Sequence, residues 1–92
     1  EVAKPEWWSD EGLKALSARV VRAAPDGIHA NRMRAMVLHG QYNTLEVGPR
    51  SAPELKEAAT HYERAAAMHP APAMKADLAG YAELCRRQAE AM

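Results

Sequence analysis

Apolar residues recur along this chain every three or four positions and never alternate over a strand's length. That period is the signature of helices with one buried side. Leu13, Leu16 and Val20 predict a first helix from Ser9 to Ala24. Ser9 or Asp10 suits its N-cap, and Asp10 and Glu11 suit the positive end of its dipole. Pro25 stops it, and Asp26-Gly27 reads as a turn. Met33, Met36, Val37 and Gly40 share one side of a second helix, expected over residues 28–41. A third helix, expected over residues 52–69, carries the stripe Leu55, Ala58, Ala59, Tyr62, Ala65 and Ala66. Ser51-Ala-Pro-Glu54 before it matches a capping box, with proline where a missing N–H costs nothing. A fourth helix starts near Pro72, with Leu78, Tyr81, Ala82, Cys85 and Ala89 as its buried face and Glu83–Arg87 as a surface ion pair. The pattern therefore predicts an all-α protein.

The helices sort into two pairs. Residues 1–92 read as one domain: an N-terminal arm (1–8), a first helix pair (9–41), a loop (42–52) and a second helix pair (52–92). "YNTLEVGPRSA" is long for a helix–helix connection. Shifting the chain by 45 residues brings Pro25 onto Pro70, Arg19 onto Arg64, Ala35 onto Gly80 and Met36 onto Tyr81. A fixed period of this size marks helical repeats.

The pattern resembles the tetratricopeptide repeat (TPR). Ala58, Tyr62, Ala65 and Pro70 stand where that family places alanine, an aromatic, alanine and proline. Ala35 and Gly80 stand where it wants a small residue at a close helix crossing. Leu13, Ser17 and Val20 replace the alanine–aromatic–alanine positions in the first copy, and Asn31 and Ala76 replace the family's tryptophan. The resemblance implies a short α-solenoid of two TPR-like hairpins and a role in protein–protein interaction or scaffolding. In this reading "THYERAAAMHPAP" is a packing pattern, with Tyr62 as the plug between helices.

Composition narrows the function further. Twelve basic and 12 acidic residues give a net charge of +0, so no overall field draws the chain to nucleic acid. No apolar run reaches membrane-spanning length. The single cysteine, Cys85, forms no internal disulfide, which is compatible with a reducing compartment, and reads as a small buried hydrophobe. Residue 1 is Glu, which fits a fragment or a mature form; in the second case an organelle is a possible location. His29, His39, His61 and His69 are never three or four apart, so no helical turn presents a metal-binding pair. Glu57–His61 reads as a solvated helix face. No phosphate loop, Cys-x-x-Cys or nucleophile motif is present. A non-enzyme without metal or cofactor is expected.

Four residues are candidates for protein binding. Arg32 and Arg34 form a local basic patch with Arg19 and Arg22. Trp7 and Trp8 are adjacent and point different ways, so one staples the first helix and the other is an anchor for a partner. Met36 and Asp77 stand at places of the family's carboxylate clamp, so that clamp is not expected. Two readings follow: a soluble interaction or scaffold module, or a small structural accessory subunit at the periphery of a larger assembly, an organellar one if residue 1 is a mature N-terminus.

Overall fold

The computed structural model describes residue 5, residues 8–41 and residues 48–92. The expectations for Trp7 and for most of the 42–52 loop fall outside them. The described chain is all-α: α1 (Asp10–Ala23), α2 (Ile28–His39), α3 (Ala52–Met68) and α4 (Pro72–Glu90).

Local chemistry sets each end. The Ser9 hydroxyl accepts from the Gly12 N–H at 3.0 Å and opens α1. Asn31 closes the α1–α2 turn, its amide nitrogen donating to the carbonyls of Pro25 and Gly27 at 2.9 Å each. Gly40 ends α2 at φ 78°, a left-handed conformation that glycine adopts without strain. The Gly40 N–H bonds to Val37 and the Gln41 N–H to Met36, which satisfies two end carbonyls. Ser51 and Glu54 form the expected capping box on α3. Pro70 lies between α3 and α4, and Pro72 opens α4 in its first turn, where a missing N–H costs nothing.

The helices stack in chain order, α1 on α2, α2 on α3 and α3 on α4. Asn31 meets His61, while Arg34, a turn later on α2, meets Glu57, a turn earlier on α3. These helices are therefore antiparallel. Ser17 meets Arg34, whereas Val20 shares a hollow with His29 and Met33, so α1 and α2 are antiparallel too. The result is an elongated body of 47 × 30 × 20 Å.

The core is built from small residues. Ala35, Ala58, Ala59, Ala65, Ala82 and Cys85 are at most 1% exposed, and they let the helix axes approach closely. Tyr62, 2% exposed, fills the groove that such residues leave, as the stripe on α3 predicts.

Four expectations need correction. The buried residues of α2 are Ala30, Asn31, Ala35, Val37, Leu38 and His39, while Met33 and Met36 are half-buried. A helix clamped between two neighbours is buried on two sides, and a single-stripe reading misses one. Tyr81 is 50% exposed, so it leaves the buried face of α4. Gly80 is also exposed, with no atom within 4 Å of where a Cβ would sit, so it marks no close crossing. His61 is buried against α2 rather than solvated beside Glu57.

Candidate functional site

Three helices enclose one groove. α2 supplies Arg32 and Met36 from successive turns, with Gln41 just beyond its end. α4 supplies Met74, Asp77, Leu78 and Tyr81, and Tyr62 of α3 forms the floor. The groove has a volume of about 310 Å³. The Tyr62 and Tyr81 rings pack at 5.5 Å between centroids, tilted by 33°. This contact holds Tyr81 at the groove wall although half of it is exposed.

The lining is apolar at the bottom and charged at the rim. Met36 and Met74 are unbranched side chains with several rotatable bonds. Arg32 and Asp77 give opposite walls opposite charges, and both are exposed. Burial raises the Tyr62 pKa, so its phenol stays protonated at neutral pH. The Cys85 thiol lies in the core, where burial pushes its pKa up to about 11. That leaves little thiolate near pH 7.

His39 supports this floor from behind. Its ring meets Tyr62 edge-on at 5.9 Å, and Nδ1 lies 3.3 Å from the Tyr62 hydroxyl. Nε2 lies 3.1 Å from Gln88 Oε1 on α4. One buried imidazole thus joins α2, α3 and α4.

A second polar layer lies between α1, α2 and α3. Arg34 bonds Glu57 at 3.1 Å, the Lys14 carbonyl at 2.8 Å and the Ser17 hydroxyl at 3.1 Å. His61 Nδ1 lies 2.8 Å from Asn31 Oδ1, and Nε2 lies 3.2 Å from Glu57. Since the Asn31 amide nitrogen donates to two carbonyls, its oxygen is left to accept from His61 Nδ1. Burial pushes the His61 pKa down, with Glu57 opposing.

Arg50 ties the segment before α3 to the start of α1. It makes two 2.7 Å bonds to Asp10 and reaches the Val37 carbonyl at 2.8 Å and the Gly48 carbonyl at 2.9 Å. Burial raises the Asp10 pKa, but the bonds and charge of Arg50 outweigh it and hold the carboxyl below its ordinary value. Lys14 adds a 2.6 Å ion pair to Glu54.

The four sequence candidates thus separate. Arg32 lies on the groove. Arg34 turns inward and is occupied by intramolecular bonds. Trp8 is half-buried in the turn before α1, where its backbone N–H donates to the Pro5 carbonyl at 3.0 Å. Trp7 is outside the described residues. Sequence reasoning missed Met74 and Tyr81 as groove residues, because a wheel cannot show which neighbour leaves a gap. It also missed Asn31, His39 and Arg50. For Asn31 a signal was present: an asparagine one turn after Pro-Asp-Gly can bond back to that turn.

Among the described residues, no three His, Cys, Asp or Glu side chains converge to hold a metal ion. None of the described helices is long and apolar enough to cross a membrane. No protein-family model, curated protein or solved structure matches this chain.

Proposed function

We propose that this chain is a non-catalytic, TPR-like module that binds or scaffolds another protein through the α2–α3–α4 groove. The observation that carries this reading is the groove itself: a tyrosine floor, two methionines, and a cation and an anion on facing rims. Groove and interface sites of this kind combine apolar anchoring with a few polar groups that set orientation. The antiparallel helix order, the alanine surface on α3 and the buried Tyr62 support the TPR-like reading.

Selecting peptides on the immobilised chain tests it. Enriched peptides should lose at least roughly tenfold in affinity to Met74→Glu, which places a charge against the apolar floor. Binders indifferent to Met74→Glu and Arg32→Ala would sink the groove as the binding site.

The second reading is an accessory subunit docked on the edge of a larger assembly. It is favoured by the outward side of α4, where Ala73, Ala76, Ala79 and Gly80 are exposed beside Leu84, itself 39% exposed. Co-purification in fixed stoichiometry with one complex supports the subunit; exchangeable partners support the module.

A further inference from the structure

We propose that His39 is a proton-sensing positioning residue for the groove, whose neutral form sets Tyr62 and, through Tyr62, Tyr81. The proposal rests on the groove reading only for its biological meaning; its structural content concerns the chain alone.

The hydrogen-bond pattern defines the neutral state. Gln88 presents Oε1 to His39 Nε2, so Nε2 carries the hydrogen and donates. Nδ1 then has only a lone pair, and it accepts from the Tyr62 hydroxyl. Both ring nitrogens are satisfied without charge. A second proton must go to Nδ1, and there it meets the hydroxyl hydrogen of Tyr62. The phenol must turn its hydrogen away inside a core where Tyr62 is 2% exposed. A buried polar hydrogen without an acceptor is costly, so the ring itself is pushed.

The charges around His39 work in the same direction. The groups facing it are the Tyr62 phenol from α3, the neutral Gln88 amide from α4 and the Arg50 guanidinium from the segment before α3. Arg50 repels an imidazolium, and among the described residues no carboxylate bonds the ring. Burial lowers the His39 pKa first, Arg50 adds to this and Gln88 opposes it. Protonation therefore falls on the acid side of the ordinary histidine value. Its consequence is transmitted by ring contact: His39 to Tyr62 at 5.9 Å, and Tyr62 to Tyr81 at 5.5 Å. Tyr81 is half exposed on the groove wall. The groove is therefore set near neutral pH and loosened by acid.

A pH titration of the 92-residue chain by NMR tests this without a partner. The ring signals of Tyr81 and the methyl of Met74 should move with the midpoint of His39, below about 6.5. Above that midpoint, His39 Nδ1 should be the unprotonated nitrogen. In His39→Gln the acid movement of Tyr81 should vanish while that of His61 persists. Tyr62→Phe should raise the His39 midpoint by roughly half a unit to one unit, because the neutral ring loses its donor; this variant keeps the test open if His39→Gln fails to fold. The proposal is overturned if Tyr81 is silent while His39 titrates, if Tyr81 follows His61 instead, or if the Tyr62→Phe midpoint does not rise. Failure of peptide capture by the groove would leave these spectra unchanged, so the two readings fail separately.

Discussion

At the scale of single residues, buried polar groups distinguish this chain from a plain alanine-packed bundle. His39 and His61 are each only 7% exposed, and burial lowers the pKa of both. The sign follows from linkage: a depressed folded pKa means that the unfolded chain binds more protons. The stability due to each neutral ring is complete above about 6.5 and is lost as pH falls through the folded value. The melting temperature should therefore drop from pH 7 to pH 5, and less steeply in His39→Gln and His61→Gln; calorimetry at the two pH values checks this. Tyr62 is the largest single plug in the small-residue core. Tyr62→Ala should cost ~3–5 kcal/mol in urea denaturation, and an unchanged midpoint would mean that the core closes over the gap.

At the scale of helices, caps and termini match their sequence signals closely, because a cap needs only neighbouring residues. Faces match less well. The α4 stripe of Leu78, Ala82, Cys85 and Ala89 is buried as its spacing predicts, yet Tyr81 beside it is not. Gly80 shows the same limit. A mid-helix glycine reads as a close crossing, but here it faces open space. An exposed helical glycine only adds freedom to the unfolded chain. Gly80→Ala should therefore stabilise the domain by about 0.5–1 kcal/mol. Chemical denaturation of the variant would expose the error if stability fell instead.

At the scale of the whole molecule, α1 is the least secured helix. It packs on α2 but lacks the extensive contact that joins α3 to α4. Arg50 compensates by bonding Asp10, the Val37 carbonyl and the Gly48 carbonyl together, with side chains of Arg50 and Asp10 only 10% and 9% exposed. Arg50→Leu removes both 2.7 Å bonds to the buried Asp10 carboxylate and leaves it only Lys14, at 3.6 Å, which should cost about 2–4 kcal/mol. Amide exchange should then rise first in α1 and least in α3. Uniform acceleration across all four helices would show that α1 is no separate unit.

What the sequence alone determined is what short range controls. Period, proline stops, the Ser51–Glu54 box and the glycine at the end of α2 specify four helices because each signal acts within about one turn. The alanine stripe with Tyr62 also specified a core, since small residues around one large ring have few other uses. Only the tertiary structure decided which polar residues meet. Asn31 with His61, His39 with Gln88, and Asp10 with Arg50 join positions 30, 49 and 40 residues apart. Nothing in local spacing links such positions. The groove is legible only there as well, because it is defined by the gap that α2 and α4 leave above Tyr62. That gap depends on how closely alanine-lined helices approach, a property of the packed stack rather than of any one helix.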